Sequence, residues 1–394
     1  MAKRGRILVL AGAAALAVAL AVHMDARPFA NTAGVESRTD TVSWNPRMAA
    51  RYLDERQSSW QSWPKAARDR GTVCVSCHTA LPYALVRPEL RALLHGSEVA
   101  APERKLLADV LTRVRAWGEV KPFYGDTTAT GRTRAIQSRG TEAVLNALIL
   151  ASHDHREGVA STDARVAFAN LFALQVTDGE QAGSWPWLDF HLRPWESTSA
   201  RYFGAALAAI AVGTEPQGYV ETPAIQPDVD RLRRYLRSHT SQPIWNRLLR
   251  REDDPNLFNR AMLLWASTKL GGLLSPEERK PIVAELYHAQ ASDGSWKLES
   301  LGYWRPAKGV RTEVAGDGYA TGLVAYALQQ AGITPNESHV GRALAWLRVH
   351  QDPATGKWNA SSLNKQRDPR SNVGKFMSDA ATAFAVLALT KSQQ

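Results

Sequence analysis

Six stretches rich in alanine and other apolar residues recur along the 394-residue chain at an interval of about 60 residues, and that period constrains the fold more than any other feature. They begin near residues 78, 141, 198, 258, 318 and 379; the clearest are STSARYFGAALAAIAVG from Ser197, DGYATGLVAYALQQAG from Asp317 and SDAATAFAVLALT from Ser378. Each is apolar nearly all round, as a helix packed on every side must be. Ahead of each lies an amphipathic helical pattern with Arg and Glu on one stripe, over residues 46–57, 102–117, 162–175, 227–239, 275–290 and 337–351. SPEE at Ser275 and APER at Ala101 put Pro and acids into a first turn, as helix starts do. Outer helix and inner helix make a hairpin. Six hairpins of one period, their inner helices parallel about one axis, predict an all-α chain closed into an α/α toroid. The expected organisation is residues 1–30 as an N-terminal segment and residues 31–394 as a single toroid domain.

Three of the links between outer and inner helices share a Gln, a Gly and a Trp: QVTDGEQAGSW from Gln175 to Trp185, QASDGSW from Gln290 to Trp296, and QDPATGKW from Gln351 to Trp358. In these the chain resembles the squalene/hopene cyclase and prenyltransferase superfamily, with its Gln-x3-Gly-x-Trp repeats. Gln290, Gly294 and Trp296 match without a gap, whereas the third link needs one extra residue and the first needs four. The resemblance implies a scaffold role for these residues, with the Gln capping backbone groups and stacking on the Trp. It also implies a central cavity for an apolar or isoprenoid-like ligand, ringed by the inner-helix starts.

The resemblance stops short of the family's chemistry. The cyclases protonate a polyene with a DxDD motif, but the corresponding starts here carry single acids, Asp317 and Asp379. Glu252, Asp253 and Asp254 are clustered, yet they lack the spacing and precede a different repeat. Protein prenyltransferases hold zinc through Asp, Cys and His, and both cysteines of this chain belong to another motif.

That motif is CVSCH, from Cys74 to His78, which contains the chain's two cysteines. Two thiols at this spacing can add to the vinyl groups of one haem, with the next imidazole as the proximal iron ligand. Structural zinc wants four nitrogen or sulfur ligands, and no second Cys pair exists. A thioredoxin-like CxxC would need a βαβ setting that the neighbouring sequence lacks. The expectation is one covalent haem c on Cys74 and Cys77, with His78 on the iron; a structural disulfide or free thiols are the alternatives. Laid on the repeat, CHTALPYAL occupies the place of an inner helix, so His78 opens the first one. A separate small cytochrome at residues 27–100 is the alternative.

Haem attachment of this kind requires export. Lys3, Arg4 and Arg6 precede the apolar run from Ile7 to Val22, the pattern of a signal sequence. No good small-x-small site follows, since cleavage after Ala26 or Ala30 would put Met24 or Pro28 where a small residue belongs. An uncleaved membrane anchor is therefore the rival reading, although the run is short for a span. Both readings place the protein outside the cytoplasm, in a periplasmic setting. The formal charge of +10 favours anionic surfaces or an acidic redox partner, and no basic-aromatic module points to nucleic acid.

Other residues carry two readings each. Trp185, Trp187, Trp195, Tyr303 and Trp304 lie in loops leading to inner helices, where they either line a ligand cavity or pack beneath the helices. Glu196, Asn259, Asp317 and Asp379 lie at helix starts and serve as caps or as catalytic groups. His153, His155 and His191 read as solvated loop histidines. Met377, in KFMSDAAT at the sixth inner-helix start, is the candidate sixth haem ligand, because ring closure sets it beside His78; Met48 and His95 are rivals, and an open site with Met377 as ordinary packing is the other alternative. Three functions remain open: an exported haem protein that transfers electrons or oxidises a cavity-bound ligand, a haem-independent cyclase-like or carbohydrate-active enzyme, and a haem-containing binding or sensor module.

Overall fold

A computed structural model describes residues 44–216, 218–238, 256–302, 304–312 and 316–393. The N-terminal segment, the acidic cluster Glu252–Asp254 and Tyr303 lie outside them. The described residues form one compact unit. In chain order the helices are α1 (Pro46–Ser62), α2 (Ala80–Leu93), α3 (Ala101–Arg115), α4 (Ala129–Glu157), α5 (Thr162–Phe172), α6 (Ala200–Thr214) and α7 (Gln226–Ser238). There follow α8 (Leu257–Lys269), α9 (Pro276–His288), α10 (Leu298–Gly302), α11 (Gly318–Gln330), α12 (Ser338–Val349) and α13 (Phe376–Lys391). Among the described residues extended pairing is limited to two isolated bridges.

The inner helices are α2, α4, α6, α8, α11 and α13. Each packs on the next, and α13 packs back on α2, so the ring is closed. Small residues allow this. Ala205, Ala206, Ala208 and Ala209 are fully buried on α6, and a Cβ on Gly322 of α11 would stand 2.5 Å from the backbone nitrogen of Ala385 on α13. The outer helices α1, α3, α5, α7, α9 and α12 lie within a few residues of their expected ranges. The all-α toroid expected from the period is the fold observed.

The Gln-Gly-Trp links are scaffold. Trp185, Trp296 and Trp358 are fully buried, and their indole N–H groups donate to the carbonyls of Leu171, Leu286 and Leu347 at 2.7, 2.8 and 2.8 Å. Burial of so large a ring contributes on the order of 2–3 kcal/mol each when its one donor is satisfied. The Gln amides then reach forward to the next outer helix. Gln175 donates to Asp228 O of α7 at 3.0 Å, Gln290 to His339 O of α12 at 2.8 Å, and Gln351 to Asn45 O at 3.0 Å. Asn45 is the N-cap of α1, so the last link of the chain fastens the first helix.

Two expectations are corrected. α4 starts at Ala129, twelve residues before the expected 141, with Thr128 as its N-cap accepting from Gly131 N at 2.9 Å. Its first three turns are mostly polar and only partly buried, held by Arg134 over Phe190 and Arg139 over Trp117, so they show no apolar period. His153 and His155 consequently lie in the last turns of that helix and not in a loop.

Candidate functional site

CVSCH is fixed by its neighbours before it can do anything else. Cys74 N donates to Ala66 O at 3.0 Å, and the Trp60 indole donates to Cys74 O at 2.8 Å. The Ser76 hydroxyl accepts from Thr79 N and Ala80 N at 3.2 and 3.0 Å. It thereby satisfies orphan amides at the start of α2. His78 thus stands at the N-terminal end of the first inner helix, as the repeat requires.

The hydrogen-bond chain behind His78 sets its tautomer. The Thr79 hydroxyl donates to Asp379 Oδ2 at 2.7 Å, which uses its one proton. It lies 2.8 Å from His78 Nδ1, so it must accept there, and Nδ1 carries the hydrogen. Nε2 then holds the free lone pair, and it has no partner among the described residues. Asp379 itself is buried and accepts from Arg56 Nε at 2.7 Å, Arg56 Nη2 at 3.1 Å and Tyr52 at 2.9 Å. Desolvation, aided by Arg56 and Arg367, lowers the imidazole to about 3, so the ring is neutral.

His78 forms part of the wall of a cavity of about 270 Å³. Phe376 stacks on the imidazole at 3.7 Å, while Trp60 and Trp195 lie 5.0 and 6.4 Å away. The Phe376 contact engages a ring face and leaves the in-plane lone pair free, while Trp60 meets the imidazole edge to face. The two cysteines are unpaired and buried just behind this wall, where the cavity residue Tyr124 pairs with the Cys74 thiol. Burial pushes Cys74 up to about 11 and raises Cys77 as well, so both are neutral thiols.

Met377 forms part of the wall of the same cavity. The rivals do not. His95 follows the C-terminal end of α2, about 20 Å along the helix from His78. Met48 sits in the first turn of α1, against Gly356 of the third link.

The remaining candidates separate. Trp195 faces the cavity and donates to Tyr319 OH at 2.8 Å. Trp187 faces another recess, Trp304 packs on Phe258, and Trp185 is scaffold. Asp317 is the N-cap of α11, accepting from Ala320 N at 2.8 Å. Asp379 is not a cap but an ion-pair partner, and Asn259 donates to Ser199 O at 3.1 Å. His191 is an exposed loop residue beside Asp189. Glu196 does not cap α6; its carboxyl lies on the cavity wall and is pushed up to about 7 by desolvation, with Arg134 opposing. Arg193 and Arg367 join the same wall, and no sequence pattern had singled them out.

No family model matches the chain, and no curated protein sequence does. Among solved structures it is similar to a glycosyl hydrolase family 88 protein from Bacteroides vulgatus, with a TM-score of 0.51 and 12% identity over 88% of this chain and 98% of that one. A second glycosidase aligns over 91% of this chain and 99% of its own at 12% identity, but with a TM-score of 0.31 it carries no argument. The first likeness establishes the class of architecture, an α/α toroid, and nothing finer. The resemblance to the cyclase superfamily is accordingly supported at the level of the toroid.

Proposed function

We propose that the chain is an extracytoplasmic haem c protein whose prosthetic group occupies the aromatic cavity at the inner-helix mouth. The observation that carries this reading is the relay from Arg56 and Asp379 through Thr79 to His78 Nδ1, which leaves an unpartnered Nε2 lone pair at a cavity backed by two free thiols. Orienting a ligating imidazole through its second nitrogen is how proteins prepare a metal site. Cys74 and Cys77 would attach the group, His78 would ligate the iron, and Arg193 and Arg367 offer cations for its propionates. When bound, haem supplies one-electron transfer, or oxidation of a ligand if a coordination position stays open. The chain's own residues orient the imidazole, exclude water through Trp60, Trp63, Trp195 and Phe376, and bring the Met377 thioether to the same cavity.

The test is expression with a cytochrome c maturation system followed by mass spectrometry of the intact protein. One haem should be added, and Cys74→Ser with Cys77→Ser should abolish the addition. An unmodified mass under those conditions would sink the reading.

A carbohydrate-active enzyme is the second reading, and one observation favours it: Glu196, at about 7, could donate a proton within an aromatic cavity. Glycoside hydrolysis ordinarily needs two carboxyl groups flanking the bond, however, and Glu196 is the single acid among the described residues of that wall. Glycosidase activity that Glu196→Gln removes, in protein carrying no haem, would establish this reading over the first.

A further inference from the structure

Beside the aromatic cavity lies a larger recess of about 370 Å³, and the two share Ser362, Arg367, Val373 and Met377. Four cations line it: Arg311, Lys357, Lys365 and Arg367. None of them makes an ion pair with a described residue, and no acid among the described residues is part of the wall. Two acids near it among the described residues are engaged elsewhere, Asp368 with Arg370 and Glu299 with the Thr312 hydroxyl. Ser361 and Ser378 add hydroxyl groups, and the first turn of α13 closes one side with its positive dipole end. Like charges gathered in a concave surface repel one another, so the arrangement costs stability unless an anion occupies it.

We propose that this recess is a binding site for a small organic oxyanion, a molecule bearing carboxylate, phosphate or sulfate groups. Its volume is far greater than a bare ion needs, and the shared wall at Met377 and Val373 gives the organic body of the ligand an apolar side to lie against. Four unpaired cations match more than one negative oxygen, with Arg311 and Arg367 able to engage an oxyanion through two parallel N–H groups each. In the haem reading the site delivers an anionic molecule to the edge of the prosthetic group. Arg367 is the one cation of the four that the haem reading also offers to a propionate; Arg311, Lys357 and Lys365 line only the recess, so the site does not depend on that reading.

The experiment is isothermal titration of the full chain with phenyl phosphate, citrate and inorganic phosphate, made on haem-loaded protein and on Cys74→Ser with Cys77→Ser. Phenyl phosphate should bind saturably at one site in both, and its affinity should fall with added salt. Arg311 and Lys365 are exposed, so Arg311→Gln with Lys365→Gln should fold normally and weaken binding at least tenfold. Lys280→Gln, which removes an exposed cation on α9 that is not part of the recess, should leave it unchanged. The proposal is overturned if none of the three anions binds saturably, or if the double variant binds as tightly as the parent. Equal weakening by Lys280→Gln would overturn it too, since that outcome marks general surface charge. Failure of the haem reading appears separately, in the mass of the protein.

Discussion

Met377 is the residue whose part in the site is most directly decided by spectroscopy. It is buried at the first turn of α13, on the wall that His78 also forms. If its thioether occupies the position opposite His78, the haem-loaded protein shows a near-infrared sulfur-to-iron band, and Met377→Ala abolishes that band and shifts the iron toward high spin. An unchanged spectrum would leave Met377 as packing. Glu215 makes a pH prediction of known sign. It ends α6 with both carboxylate oxygens buried and unpartnered, and desolvation, with the negative charge of Asp154, pushes it up to about 7. Below its ordinary value of 4.5 the group is protonated in folded and unfolded chains alike. As pH rises from there to about 7 the unfolded chain ionises first, so stability falls, and above 7 the full cost is present. Glu215→Gln removes that slope: relative to the parent, the variant should gain on the order of 2 kcal/mol between pH 4 and pH 8, measured by urea unfolding. No sequence pattern marks Glu215, because its cost comes from burial alone.

At the scale of the element, legibility follows where the apolar surface lies. Inner helices announce themselves because every face is buried, and outer ones because one face is. The first turns of α4 escape both rules, since exposed Arg and Thr there are compatible with helix or loop. The Gln-Gly-Trp links were legible as punctuation, but their physical purpose needed coordinates. Gly294 has φ 91°, and a Cβ there would stand 2.8 Å from the carbonyl oxygen of Arg342 on α12. Gly294→Ala therefore combines a left-handed backbone with a close approach to a neighbouring helix, and should cost about 2 kcal/mol in chemical denaturation. Gly332, in the same backbone region but with open space about it, serves as the comparison; Gly332→Ala should cost about 1 kcal/mol. Equal losses at the two sites would show that the approach to α12 is not a constraint.

For the whole molecule the decisive structure is the seam where the sixth hairpin meets the first. The repeat period required a closed ring, and that much could be read; what holds the closure could not. Arg56 and Asp379 are 323 positions apart, and each looks ordinary in sequence, one on an outer-helix stripe and the other at a helix start. Burial of both, with bidentate geometry, makes them the electrostatic lock between α1 and α13, seconded by Tyr52 and by Gln351 at Asn45. Removing one member of such a pair leaves a charge buried without a partner. Asp379→Asn should thus destabilise by about 3–5 kcal/mol, since its one carbonyl oxygen can replace only the acceptor of Tyr52 or that of Thr79, not both. Adding Arg56→Met removes the stranded guanidinium, so the double variant should be more stable than Asp379→Asn alone. Hydrogen exchange locates the effect: amides of α1 and α13 should exchange faster in Asp379→Asn, while those of α8, across the ring, keep the protection of the parent. If the two substitutions add without coupling, or if α8 loosens equally, the ring is not closed by this pair and its stability is spread evenly around the inner helices.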